Sequence, residues 1–142
     1  MNAIFQMTVS ATGPGASLDV KLDGQSRWQG ELGIEPSTVS FEIDDSQEAQ
    51  HQLVIEMSGK TQEHTRIDEQ GNIISDLLVN IKDVTLDNIP LDPTIPELAI
   101  YQHDFNGNGP ETTENFYGTM GCNGTITIPF YTPIYLWLLE IA

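Results

Sequence analysis

Ile4-Phe5-Gln6-Met7-Thr8-Val9-Ser10-Ala11 is the stretch that decides the fold. Phe5, Met7, Val9 and Ala11 fall on one face and Gln6, Thr8 and Ser10 on the other. Alternation of period two belongs to a half-buried strand, because successive side chains of an extended backbone point to opposite sides. Thr12-Gly13-Pro14-Gly15 ends the run, and Leu18, Val20 and Leu22 then alternate with Asp19, Lys21 and Asp23. Asp23-Gly24 turns the chain back toward Trp28, Gly30 and Leu32. Val39, Phe41 and Ile43 form a further inward set, and Leu53, Ile55 and Met57 another. Short alternating blocks separated by turn residues predict an all-β chain, an antiparallel β-sandwich of jelly-roll type.

The second half is less regular. Ser58 to Asn72 is polar and predicts the longest loop, with a short edge strand near His64 to Ile67. Alternation through Leu77, Val79 and Ile81 shifts phase to Val84 and Leu86, which reads as a bulge or a new strand. Pro90, Pro93 and Pro96 argue against both helix and central strand between them. Leu98 to Phe105 predicts a strand, and Phe116 to Met120 another, paired as a hairpin with Thr125 to Phe130 across Gly121-Cys122-Asn123-Gly124. The organisation expected is a sandwich core over residues 1–90, with a C-terminal β-hairpin extension over 91–142 packing on the same domain or on a partner. In Ile134-Tyr135-Leu136-Trp137-Leu138-Leu139 both alternating sets are apolar, so that block is buried on two sides or docks on another chain. Tyr131, Ile134, Tyr135, Trp137 and Leu138 are the candidate interface residues.

Charge narrows the functions. The 142 residues carry 5 Lys plus Arg against 21 Asp plus Glu, a formal net charge of −16. Phosphate recognition rests on basic side chains, so a nucleic-acid surface is excluded as the main activity, and an anionic membrane is disfavoured. The excess is spread over both halves, and after Lys82 eight acids follow with no Lys or Arg. A divalent cation, a saline medium or a basic partner would each balance it. At 39% hydrophobic residues the chain stands on the folded side of acidic disorder. Met1 to Gln6 runs directly into polar residues, which leads us to expect no secretory leader.

Asp104-Phe105-Asn106-Gly107-Asn108-Gly109 fits the D-x-[DN]-x-[DN]-G opening of a calcium loop. Asp104, Asn106, Asn108 and the nearby Glu111 are therefore the candidate Ca²⁺ ligands. Asn115 stands at the twelfth position, where the motif takes a bidentate Glu. The competing reading is a hairpin loop rich in Asn and Gly. Glu63, Asp68, Glu69 and Asp76 near His64 form a second acidic set, best read as a turn, and His51, His64 and His103 match no zinc spacing. Cys122 is the single cysteine, and no nucleophile elbow or H-E-x-x-H motif occurs. The chain is expected not to be an enzyme.

Two resemblances follow from residues already quoted. Thr8-Val9-Ser10-Ala11-Thr12-Gly13, Val20-Lys21-Leu22-Asp23-Gly24-Gln25 and Trp28 resemble the opening of small calcium-dependent xylan-binding modules, and Leu53-Val54-Ile55 extends the likeness. That resemblance implies a jelly-roll sandwich that binds sugar through calcium; none of that family's calcium ligands is carried over. Ser58-Gly59-Lys60-Thr61, His64-Thr65, Ile67-Asp68, Gly71-Asn72-Ile73 and Gly121-Cys122-Asn123-Gly124-Thr125 look like small virion-associated proteins of contractile-tailed marine phages, especially those infecting cyanobacteria. It implies a non-enzymatic virion structural protein, a capsid decoration or tail component assembled in the host cytoplasm. Its partners would be other virion proteins, a second copy of itself, or a cell-surface glycan. The alternative is a calcium-dependent carbohydrate-binding module, and a glycan-processing enzyme comes third.

Overall fold

The computed structural model describes residues 2–141, apart from the side chain of Pro93. Met1 and Ala142, the outer ends of the two expected segments, lie outside the described residues. The alternating blocks become strands: β1 (Asn2–Ala11), β2 (Ser17–Leu22), β3 (Gln25–Glu31), β4 (Ser37–Asp44) and β5 (Ala49–Ser58). The polar stretch holds a 3-10 turn at Gln62–His64 and a small hairpin of β6 (Arg66–Ile67) and β7 (Ile73–Ser75). Then come β8 (Val79–Leu86), β9 (Ile89–Pro90), the one-turn helix α1 (Ile95–Leu98), β10 (Ile100–His103), β11 (Thr112–Asn115), β12 (Thr119–Met120), β13 (Gly124–Thr132) and the helix α2 (Ile134–Ile141).

Two antiparallel sheets face each other. The first runs β12-β8-β1-β4, with β9 pairing on β8; the second runs β11-β10-β13-β5-β2-β3. Phe5, Met7, Val9, Val39 and Ile43 from the first sheet meet Leu18, Val20, Leu53, Ile55, Ile126 and Ile128 from the second in one buried cluster. The phase shift is a bulge: pairing slips between Gln6 and Thr8 on β1, and Asp83 takes φ +54 opposite it. The extra residue returns Val84 and Leu86 to the core face. Asp23 (φ +52) and Gly24 (φ +85) make the two-residue turn between β2 and β3 with both central residues left-handed, as that hairpin requires.

Three expectations give way. The prolines do not exclude helix: a 3-10 turn at Asp92–Thr94 leads into α1, with prolines in the first turns, where a missing N–H costs nothing. Asn123-Gly124 is not a hairpin tip. β12 pairs with β8 in one sheet and β13 with β10 and β5 in the other, so the chain crosses between sheets at Gly121–Asn123. The glycine serves close approach instead, since a Cβ on Gly124 would lie 2.2 Å from the Gln102 carbonyl oxygen. The hairpin of this region is the one formed by β10 and β11. Finally, Ile134–Ile141 is a helix. Ile134, Trp137, Leu138 and Ile141 follow the i, i+3, i+4, i+7 rule and turn inward, with Trp137 edge-on to Phe130 at 5.9 Å.

β13 sits at the centre of the second sheet, so residues 91–141 and 2–90 contribute to the same core. No helix among the described residues is long and apolar enough to cross a membrane.

Candidate functional site

The β10–β11 hairpin carries the loop that the calcium-like spacing singled out. β10 sends Tyr101 and His103 inward, and their rings start an aromatic ladder. Phe116 stands edge-on to Tyr101 at 6.2 Å, Tyr101 is 4.7 Å from His103, and His103 is 4.7 Å from Phe105. Burial pushes the Tyr101 hydroxyl up to about 12; it donates to the Cys122 carbonyl and accepts from the Cys122 amide. The ladder emerges at Phe105, a residue 45% exposed.

Phe105 is also the one bulky residue with a left-handed backbone among the described residues. Its φ is +56, followed by Asn106 at +59 and Gly107 at +86; the other left-handed non-glycine residues are all Asp or Asn. An Asp or Asn tolerates that region, whereas a bulky side chain there is a true outlier. The loop imposes the conformation. Asp104 Oδ1 accepts from the Gly107 amide at 2.8 Å, and the Asp104 carbonyl accepts from Gly109 at 3.1 Å. A Cβ on Gly109 would come within 2.8 Å of the Phe105 ring, so the sixth-position glycine makes room for an aromatic face.

Asn123 ties this loop to the rest of the molecule. Its amide N–H donates to Asn106 Oδ1 at 2.8 Å, its side chain accepts from the Lys60 amide at 3.0 Å, and it donates to the Lys60 carbonyl at 2.9 Å. The Lys60 ammonium is buried and donates to Asp76 Oδ1 at 2.7 Å and to the Gly121 carbonyl. Asp76 also accepts from the Thr65 hydroxyl at 2.7 Å and the Leu77 amide at 2.9 Å. Burial opposes ionisation of Asp76, but Lys60 and Thr65 outweigh it and hold the carboxyl below its ordinary value.

Asp104 and Glu111 line a hollow of 280 Å³ with Gln102, His103, Asn123 and Thr125. Glu114 Oε1 lies 3.6 Å from His103 Nε2 nearby. Asn106 and Asn108 face the other way, into a second hollow with Lys60, Thr61, Thr65 and Ile67. The four expected calcium ligands are therefore split between two sides of the loop, and Asn106 Oδ1 is already engaged. Calcium takes six to eight oxygens at one centre. Among the described residues no three His, Cys, Asp or Glu side chains converge in that way, so the residues present do not fit the ion as their spacing suggested. We expect Asp104→Asn to leave the calcium response of the melting midpoint, taken between millimolar calcium and chelator, unchanged within about 1 °C, because an ion not held by this loop draws no stability from it. A response that falls by several degrees in the variant's thermal scan would refute this.

Of the candidate interface residues, Ile134 and Trp137 are internal, and Tyr131 and Leu138 pack partly against the core. Helix geometry leaves Tyr135, 62% exposed, facing outward beside Leu136 and Leu139.

Asp23, His51 and Thr132 form an acid, imidazole and hydroxyl series, at 2.7 Å and 3.3 Å. Thr132 is nevertheless buried and donates to the Gln47 carbonyl at 2.6 Å, so the series anchors a loop and offers no nucleophile. Burial pushes the Cys122 thiol up, away from thiolate chemistry.

The fold has solved counterparts. One is vCBM60 in its selenomethionine form, from work linking two families of calcium-dependent carbohydrate-binding modules by circular permutation. It superposes with a TM-score of 0.57 at 10% identity, over 90% of each chain. The other is vCBM60 in complex with galactobiose, with a TM-score of 0.52 at 10% identity, over 88% of this chain and 96% of that one. The chain thus has the β-sandwich fold of these modules. No protein-family model matches it, and no curated protein matches it in sequence.

Proposed function

We propose that the chain is a non-enzymatic carbohydrate-binding β-sandwich whose primary sugar site is the hollow beside Phe105. The observation that carries this reading is the half-exposed Phe105 ring, held in a strained backbone and set edge-on to His103, which itself lines a hollow of carboxylates and amides. Strain retained in one bulky residue marks a place where the loop serves something other than stability. An aromatic face takes the C–H side of a sugar, and Asp104, Glu111, Gln102 and Asn123 offer acceptors and donors to its hydroxyls. The solved counterparts support the class, one of them having been obtained with galactobiose. A glycan array probed with the purified chain tests it, and silence across neutral glycans would end it.

A second reading places this module on a virion, as the sequence resemblance implies. The outward Tyr135, Leu136 and Leu139 of α2 favour a protein partner there. Tyr135→Ser with Leu139→Ser leaves Ile134 and Trp137 in place, so the fold should survive while association with the particle falls. Unchanged co-sedimentation with the particle would remove α2 as the contact.

A further inference from the structure

The outer face of the second sheet carries a row of polar side chains in register. Thr113 stands opposite Gln102, Gln102 opposite Thr125, Thr125 opposite Glu56, Glu56 opposite Asp19, and Asp19 opposite Gln29. Their chain neighbours Tyr101, Ile126, Ile55 and Val20 are buried, which fixes the row on the solvent side. The row crosses all six strands at right angles to them and spans about 24 Å at ~4.8 Å per strand.

Two hollows lie along it. The 280 Å³ hollow lined by His103, whose ring meets Phe105, includes Gln102 and Thr125, and a 380 Å³ hollow includes Glu56, Asp19, Gln29 and Ser58. Asp19 is fixed in place by hydrogen bonds from the Ser26 hydroxyl at 2.7 Å and the Gln29 amide at 3.0 Å. α2 meets β13 at its far end, through Tyr131 and Leu136, and leaves the row uncovered.

We propose that this face is a track for a linear neutral polysaccharide, laid across the strands and continuous with the Phe105 hollow. Strand spacing is close to the rise of one sugar unit in an extended chain, so successive units meet successive strands. Glu56, Asp19, Asp104 and Glu111 accept hydroxyl protons and repel uronate or sulfated chains, which selects neutral polymers. The track rests on the Phe105 reading, since that hollow is its first subsite.

The test uses the full chain and neutral β-1,4-linked oligosaccharide ladders of gluco, xylo and galacto configuration, from disaccharide to hexasaccharide, measured by calorimetry. Affinity should rise about tenfold along the ladder that binds, because added hydrogen bonds to fixed carboxylates and amides accumulate. The double variant Glu56→Ala, Gln29→Ala should flatten that rise, and its melting midpoint reports that the fold is kept. Binding that needs Phe105 but is equally tight for disaccharide and hexasaccharide would overturn the track alone, as would a double variant that keeps the full rise. Silence of every ladder would overturn the track, and silence on the glycan array as well would overturn the Phe105 site.

Discussion

Phe105→Gly should lose sugar binding by about thirtyfold while melting within a few degrees of the parent. The two halves of that result have separate causes. A bulky residue in the left-handed region costs about 1–2 kcal/mol, and glycine removes that cost while adding about 0.5–1 kcal/mol of backbone entropy. The lost contacts of the ring with His103 and Gly109 take up the remainder. Covering ~80 Å² of ring with a sugar stabilises the complex by about 2 kcal/mol, which is about thirtyfold in affinity. A variant that still binds at parental affinity would show that sugar does not rest on this ring. One that melts more than 10 °C lower would instead make Phe105 a packing residue.

The second large effect lies under the site. Asp76→Asn should cost about 3 kcal/mol, because it leaves the buried Lys60 ammonium with neutral acceptors only and no counter-charge. Adding Lys60→Met to the same chain should recover at least half of that loss, since an apolar pair needs no compensation. Asp76 ionises below its ordinary value when folded, so the pair contributes fully above about pH 4 and is lost as acid titrates the folded carboxyl. Urea unfolding below about pH 4 should therefore show a shallower acid decline for Asp76→Asn than for the parent. Equal slopes would mean that Asp76 carries no pH-linked stability.

Much of this architecture was legible in the sequence, for a reason visible in β1 and β2. Each buries one face, and period two survives wherever one face meets core and the other meets water. The phase shift before Val84 is legible too, as a bulge or a new strand, and pairing with β1 makes it a bulge. α2 does not show in a period-two pattern, because its run is apolar at odd and even positions alike. The spacing of Ile134, Trp137, Leu138 and Ile141 carried the helical signal all along. Asn123-Gly124 misled because a glycine that yields to a neighbouring carbonyl looks the same in one dimension as a glycine that turns the chain.

The loop from Asp104 to Glu111 stands out by its spacing, yet its four candidate ligands divide between two sides of the loop. Asn and Gly at alternate positions serve a left-handed turn as well as they serve a cation. Which of them holds depends on Asn123, a residue far along the chain that no local pattern connects to Asn106. The track across the second sheet was invisible for the same reason, because Gln102, Thr125, Glu56, Asp19 and Gln29 become neighbours only through pairing.

The place of β13 has a bearing on how the molecule comes together. It alone joins the β2, β3 and β5 half of the second sheet to the β10 and β11 half. Until residues 124–132 have been synthesised, β5 has no partner on one side, and a nascent or truncated chain carries an open edge able to recruit another strand. Closure then waits for pairings between segments some seventy residues apart, such as Leu53 with Ile128, which is slow relative to local hairpins. Refolding yield should accordingly depend on protein concentration, with the unpaired edge as the point of competition between folding and aggregation.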